Sequence, residues 1–356
     1  MEPMQKPFVV AGPCSAESCS QLERSASDVM SIPHVVMIRC GVWKPRTRPG
    51  GFEGMGEAAL AWIAEIKQRH PDWRFCCEVA RPRHVELAMS YGIDAVWIGA
   101  RTTADPFSVG EVAQALKGCG IPVLVKNAPM PDVAPWIGAI ERFEAAGVAS
   151  VMAVHRGFAT YRDSGLRNSP LWDIPIELRR LRGDLPILCD PSHIAGHSDK
   201  VGHIATMAMA MGFDGLMVEV HDNPSEALTD AEQQLSPSQF ASLMEMLRMP
   251  HDDEAVAEQR LADLRLAIDG VDEQLLLLLH QRMQLSKSIA AVKRCYDLPV
   301  LQSRRWNALL SDRLARAERL GLSQQFVKEI LEKIHSESIR VQIDDGGKRD
   351  EDANQP

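Results

Sequence analysis

Eight short apolar runs recur between Phe8 and Val220, each closed by turn residues: "FVVAG" (8–12), "VVMIRCG" (35–41), "RFCCEV" (74–79), "AVWIGA" (95–100), "PVLVKN" (122–127), "SVMAVH" (150–155), "PILCD" (186–190) and "GLMVEV" (215–220). They are nearly continuous rather than alternating, which is how strands covered on both faces read. Most gaps between them carry a helical period, as in "GEAALAWIAEIKQR" (56–69), "PRHVELAMSYG" (82–92) and "HIATMAMAMG" (203–212). Eight strands alternating with helices predict an α/β chain folded as a (β/α)8 TIM barrel; a doubly wound open sheet uses the same elements and is the alternative.

After residue 249 the pattern changes. From Glu254 to Cys295 the sequence has a single glycine, Gly270, and no proline, and apolar residues fall at Leu261, Leu264, Ile268, Val271, Leu275, Leu278, Leu285, Ile289 and Val292. This spacing of three and four marks a helix with one narrow seam, interrupted where Arg282 fills a slot. Such a helix is about 60 Å long at 1.5 Å per residue. The two helical segments that follow, about 302–320 and 323–342, are too short to cover it, so an intertwined homodimer is expected. The predicted organisation is a barrel over 1–249, a linker over 250–257, an all-α domain over 258–343 and a disordered tail over 344–356.

Composition sets limits on partners. With 356 residues, 45% hydrophobic and 24% charged, and a formal net charge of -9, the chain has no general attraction for nucleic acid, so any anion site must be local. The start, "MEPMQKPFVVAGPCS", lacks the pattern of a secretion leader, and no run approaches the roughly 20 apolar residues of a membrane span, so a cytoplasmic protein is expected. The eight cysteines form no CxxC pair, which argues against a disulfide framework or a zinc ribbon.

In a parallel barrel, chemistry sits where the C-terminal ends of the strands converge. Those ends offer Cys14, then Arg39 with Lys44 and Arg46, then Glu78, Arg101, Lys126, Arg156, His193 and Glu219 in strand order. Any one alone reads as a solvated rim charge; eight on one rim do not. Six cations in one cleft repel each other and so imply polyanionic ligands, with Arg forks suited to phosphate and carboxylate. Cys14, His193, Glu219 and Asp230 form a mixed sulfur, nitrogen and oxygen set that suits a divalent transition ion. In "LPILCDPSHIAGH" (185–197) a tight Asp-Pro-Ser turn would aim His193 at the barrel axis, whereas His197 is left unassigned.

Seven motifs, "GPCSAES", "RCGVWKPRTRPGGFEG", "WIGAR", "PVLVKN", "HRG", "DPSHIAG" and "DGLMVEVH", occur in an order that resembles 3-deoxy-D-arabino-heptulosonate 7-phosphate (DAHP) synthases, over about 8–248. The chain is most similar to their shorter bacterial subgroup. "KPRT" (44–47) favours this family over the 3-deoxy-octulosonate 8-phosphate synthases, which use arabinose 5-phosphate and carry a Lys-Ala-Asn motif there. The resemblance implies condensation of phosphoenolpyruvate with erythrose 4-phosphate and release of phosphate. It implies one divalent ion per barrel, manganese first, with iron, cobalt or zinc as other choices, held by Cys14, His193, Glu219 and Asp230. By the same resemblance Arg39, Lys44, Glu78, Ala100, Arg101, Lys126 and Arg156 bind phosphoenolpyruvate, and Lys44, Arg46 and Thr47 bind erythrose 4-phosphate. Lys44, between the two anion sites, is placed to donate a proton to the new alkoxide. The first strand begins near residue 7, so the N-terminal regulatory domain common in the family is not expected.

"LRLAIDGVDEQLLLLLHQRMQLSKSIAAVKR" (264–294) resembles the first helix of the all-helical chorismate mutase domain, a likeness covering about 258–342. It implies rearrangement of chorismate to prephenate, with Arg265, Arg282, Lys293 and Arg305 on the carboxylates and ether oxygen, Gln302 hydrogen-bonding, and Ser338 and Gln342 on the last helix. Where many members place acidic residues around the arginine of the second helix, this chain has Gln302 and Trp306. Two readings follow: an active mutase that also regulates the barrel through prephenate or chorismate, or a module that senses ligand and dimerises with little catalysis.

Overall fold

A computed structural model describes residues 8–44, 50–148, 150–161, 165–247 and 254–352, without side-chain detail at 254–260, 263–264, 266–267 and 344–352. The chain divides into two compact units, Met1–Met249 and Pro250–Pro356.

In the first unit, eight parallel strands close into a barrel in sequence order: β1 (Phe8–Gly12), β2 (Val35–Arg39), β3 (Phe75–Val79), β4 (Ala95–Ile98), β5 (Val123–Lys126), β6 (Val151–His155), β7 (Ile187–Cys189) and β8 (Gly215–Glu219). This is the (β/α)8 barrel predicted from the runs, and the closing pair, β1 with β8, rules out the open sheet. The surrounding helices are α1 (Cys19–Met30), α2 (Glu57–Arg69), α3 (Pro82–Ser90), α4 (Ala100–Thr103), α5 (Pro106–Leu116), α6 (Ala134–Ala145), α7 (Asp173–Leu181), α8 (Pro191–Ala195), α9 (Ser198–Ala210) and α10 (Pro237–Met246).

The strand runs look continuous because alternate residues serve two cores. Val9, Ala11, Cys77, Val79, Val123 and Val125 pack outward against helices, whereas Phe8, Val10, Cys76, Trp97, Leu124, Met152, Leu188 and Met217 fill the barrel. Side chains alternate with a period of two. Continuing the inward series past each apolar layer reaches Arg39, Glu78, Lys126 and Glu219 at the strand ends, and Cys14, Arg156 and Asp190 just beyond them.

The second unit has three helices: α11 (Glu254–Cys295), α12 (Ser303–Arg319) and α13 (Gln324–Asp352). α13 packs against both α11 and α12. Among the described side chains of α11, Ser286 and Ala290 are buried, whereas the predicted seam is exposed, with Ile268, Val271, Leu278, Leu285 and Val292 each at least half accessible. The ends differ from the sequence expectation. α11 begins inside the predicted 250–257 linker, and α13 continues to Asp352, through most of the predicted 344–356 tail. Once nucleated, a helix adds residues at little cost, which composition alone does not reveal.

Candidate active sites

At the C-terminal end of the barrel lies a cavity of about 500 Å³ lined by Lys44, Glu78, Gly99, Ala100, Arg101, Lys126, Pro129, Arg156, Arg167, Asn168, His193 and Asp230. Its size is in the range of ligand pockets. A Cβ at position 99 would lie 2.1 Å from Glu78 Oε1, so a larger residue than glycine there would displace the Glu78 carboxylate.

Two acids carry the floor. Asp190 caps α8, accepting from the His193 N–H at 3.0 Å, and Lys126 Nζ donates to its Oδ2 at 2.7 Å. His193 Nδ1 lies 2.8 Å from the same oxygen. Burial opposes ionisation of Asp190, but His193, Lys126 and Arg39 together hold it well below the usual carboxylate range. Glu219 accepts from Arg39 Nη2 at 2.9 Å and from Gln233 Nε2 at 2.5 Å. Burial pushes it up, while His193, Arg39 and Lys44 outweigh that and bring it down. Arg39 is 1% exposed, lies over the Trp97 ring at 5.0 Å and is absent from the cavity wall.

On one side of the floor, Cys14 Sγ donates to Asp230 Oδ2 at 3.2 Å and accepts from Lys44 Nζ at 2.9 Å. The sulfur and the carboxylate oxygens of Glu219 and Asp230 lie within 4.8 Å of one another, the single such cluster among the described residues. Burial, reinforced by Glu219, pushes the Cys14 thiol up to about 12. A divalent cation would lower it again, and a thiolate with two carboxylates suits a transition ion. His193, the fourth predicted ligand, stands outside this cluster, with Nδ1 3.9 Å from Glu219 Oε1.

The backbone brings Cys14 and Asp230 together across 216 residues through side-chain braces. Gln234 accepts from the Cys14 N–H at 2.9 Å and donates to the Thr229 carbonyl at 2.9 Å, and the Ser15 and Thr229 hydroxyls are 2.6 Å apart. Asp230 itself is left-handed, at φ 48°. Arg167 donates to Asp230 Oδ1 at 3.0 Å and to Gln233 Oε1.

On the other side, Arg156 donates to Asn168 Oδ1 at 2.8 Å, and Asn168 donates to the His193 carbonyl at 2.7 Å. Burial brings the Arg156 guanidinium down to about 10, so it remains a cation at neutral pH. Arg101 and Lys44 complete the cationic wall. Arg46 and Thr47 lie outside the described residues. Arg167, Asn168, Asp190, Gln233 and Gln234 did not stand out in the sequence. Asp190 carries a signal, an acid at a strand end directly before proline; the others lie outside the strands and α-helices, with no periodic cue.

In the helical unit, Arg282 Nη1 donates to the Ser338 hydroxyl and lies 3.4 Å from the Ile334 carbonyl. Lys293 Nζ donates to the Val300 carbonyl at 2.6 Å and to Gln342 Oε1 at 3.3 Å. Arg282, Lys293, Ser338 and Gln342 thus form one polar cluster between α11 and α13. Arg265 is exposed and about 25 Å along α11 from Arg282, at 1.5 Å per residue. Gln302 and Arg305 are exposed as well. No sequence pattern pointed to His335, which stacks on Trp306 with centroids 3.9 Å apart.

Comparison with known proteins accounts for both units. Residues 4–253 match the DAHP synthetase I family, and residues 264–343 the chorismate mutase type II family. Phospho-2-dehydro-3-deoxyheptonate aldolase of Thermotoga maritima is 30% identical over 67% of this chain and 68% of its own. A 2-dehydro-3-deoxyphosphooctonate aldolase of Acidithiobacillus ferrooxidans is 26% identical over 72% of this chain and 93% of its own. The T-protein of Enterobacter agglomerans is 35% identical over 25% of this chain and 24% of its own. The crystal structure of the T. maritima DAHP synthase superposes with a TM-score of 0.61 at 28% identity, covering 68% of each chain.

Proposed function

The chain belongs to the DAHP synthetase I family, and from that premise we propose that its barrel condenses phosphoenolpyruvate with erythrose 4-phosphate while its helical unit converts chorismate to prephenate. The two matched families make it a bifunctional enzyme of the shikimate pathway. The observation that carries the barrel reading is the juxtaposition, in one cavity, of a cationic wall and the Cys14, Glu219, Asp230 cluster.

Arg101, Arg156 and Arg167 suit the phosphate and carboxylate of phosphoenolpyruvate, since guanidinium forks match both, and Lys126 adds a point charge. Cys14, Glu219 and Asp230, with His193 beside them, would hold a divalent transition ion, which when bound supplies Lewis-acid polarisation of the aldehyde. In the reaction, C3 of phosphoenolpyruvate bonds to the aldehyde carbon, water adds at C2, and inorganic phosphate leaves. Lys44 is the proton donor to the oxygen that was the aldehyde. Its ammonium lies 2.9 Å from Cys14 Sγ, and although burial disfavours the charge, Cys14, Glu219 and Glu78 keep its pKa raised. The heptulosonate reading is preferred to the octulosonate one because the heptonate relative is the more identical of the two.

Chorismate carries two carboxylates and rearranges without covalent catalysis, so a site need only hold a folded conformer and stabilise developing charge. Arg282 and Lys293 supply two cations for that. The exposed apolar seam of α11, which α12 and α13 leave uncovered, supports a homodimer formed through the helical unit. Arg265, about 25 Å up the helix, could then join a site only on a second chain. Prephenate bound at this unit is the proposed inhibitor of the barrel, a coupling that must be reciprocal in binding.

The test assays both reactions on the full chain with and without a chelator, then titrates prephenate against the full chain and a chain ending at Met249. Chelation should abolish the condensation alone, and prephenate should inhibit only the full chain. Chelator-resistant condensation refutes the metal reading, and equal inhibition of both chains refutes the regulatory one.

A further inference from the structure

Among the described residues of the helical unit, one buried side-chain polar atom has no hydrogen-bond partner. His335, Ser338 and Gln342 fall on one face of α13 at positions i, i+3 and i+7. Ser338 is engaged by Arg282 and Gln342 by Lys293. The third side chain on this face, His335, has its Nε2 buried and without a hydrogen-bond partner. Buried polar groups are ordinarily paired, and an orphan calls for an explanation.

The ring is not loosely held. Trp306 of α12 lies parallel to it, with centroids 3.9 Å apart and planes 8° from parallel. Stacking occupies one face of the imidazole, and Nε2, on the ring edge, is left without a hydrogen-bond partner. Burial, then the nearby charges of Arg282 and Lys293, push the imidazole below its ordinary pKa, so it is neutral at pH 7. A neutral imidazole next to two cations complements them: it both donates and accepts, which a guanidinium or ammonium cannot.

We infer that His335 Nε2 is a ligand contact of the helical unit, hydrogen-bonding the secondary hydroxyl of chorismate and prephenate, and that Trp306 is the positioning residue that fixes its ring. The inference rests on the reading of this unit as a chorismate mutase. The ligand's carboxylates and ether oxygen are acceptors and go to Arg282 and Lys293. Its hydroxyl is the group that those cations do not select, and Nε2 is the orphaned partner beside them. Trp306, an anomaly in the sequence, then has a reason to be there, because it turns a flexible histidine into a fixed one.

The experiment uses the full chain with His335→Leu, His335→Gln, Trp306→Leu and the Trp306→Leu/His335→Leu pair. It reads kcat and KM for chorismate, and Kd by calorimetry for prephenate and for a prephenate analogue lacking the hydroxyl. His335→Leu should lose about tenfold in kcat/KM and in prephenate affinity, and His335→Gln should recover most of both. The analogue should bind the parent and His335→Leu alike. Trp306→Leu should weaken prephenate binding in the parent and add nothing in the His335→Leu background. Unchanged prephenate affinity in His335→Leu overturns the contact, as does an equal loss for the analogue. A glutamine variant as impaired as the leucine one, at an unchanged melting temperature, also counts against it. If the parent neither turns over chorismate nor binds prephenate, the mutase reading itself has failed, an outcome distinct from the others.

Discussion

Gln234→Met isolates the brace between two proposed metal ligands. Gln234 is 2% exposed, and its carboxamide oxygen accepts from the Cys14 N–H at 2.9 Å, while its nitrogen donates to the Thr229 carbonyl next to Asp230. Methionine keeps the length and volume but removes both hydrogen bonds, leaving a buried donor and acceptor. Each orphaned group costs about 1–3 kcal/mol, so the loop loses roughly 2–4 kcal/mol after partial relaxation. A unit of this size has on the order of 5–15 kcal/mol to lose, so it stays folded. What moves is the separation of Cys14 from Asp230, and changes in groups that orient ligands typically weaken metal affinity 10–100-fold. The assay is competition with a chelating dye for Mn or Zn, run beside phosphate release at rising metal concentration. The variant should bind metal at least tenfold more weakly and regain most of its condensation rate at saturating metal. A lowered melting temperature with metal affinity within twofold of the parent would refute the reasoning, because Gln234 would then be a structural brace only.

Two further outcomes follow from named groups. Lys44→Met should lower the condensation rate at least 100-fold, the range of a lost general acid, and leave chorismate turnover unchanged; near-parental phosphate release would remove Lys44 from that role. His155, fully buried among Trp136, Phe158, Trp172 and Phe213, is pushed by burial down to about 3 from an ordinary 6.5. The folded barrel keeps it neutral, while the unfolded chain takes a proton below 6.5. Its contribution to stability is therefore complete above pH 6.5 and is lost as pH falls towards 3, at about 1.4 kcal/mol per unit. His155→Phe should make the fall in melting temperature between pH 7 and 5 shallower than in the parent, and parallel curves would show that His155 does not titrate on unfolding.

Much of the barrel was legible because its signals are local. An apolar run with both faces buried shows itself in a few residues, and the period of two then aims Arg39, Glu78, Lys126 and Glu219 inward without knowledge of the loops. What the sequence could not show is which polar group meets which. Arg39 and Arg101 are the same residue type, yet Arg39 reaches Glu219 while Arg101 lines the cavity, and Lys126 does both, bonding Asp190 and lining the wall. Gln234 looks like an ordinary loop residue until the chain folds back across more than 200 positions to Cys14, and Gln233 does until it meets Glu219 and Arg167. In the helical unit, Arg282 announced itself by breaking the seam, whereas His335 broke nothing, since a histidine on a half-buried helix face is commonplace without its Trp306 stack.

The charge balance that the sequence left open has a physical resolution. Six cations converging on one rim would repel, and a polyanionic ligand alone cannot stabilise the free enzyme. Arg39 and Lys126 are nearly fully buried, at 1% and 4% exposure, and are held by two carboxylates, Asp190 and Glu219, that share them with His193. Breaking such a pair leaves an uncompensated buried charge, which is far costlier than losing a surface bridge. Arg167 is likewise tied to Asp230, and Arg156 to the neutral Asn168. The acids of the floor therefore serve twice: Glu219 both neutralises Arg39 and lies in the donor cluster with Cys14 and Asp230. A cation bound there competes with Arg39 for the same carboxylate, which ties the electrostatics of the metal cluster to those of the anion wall through a single buried residue.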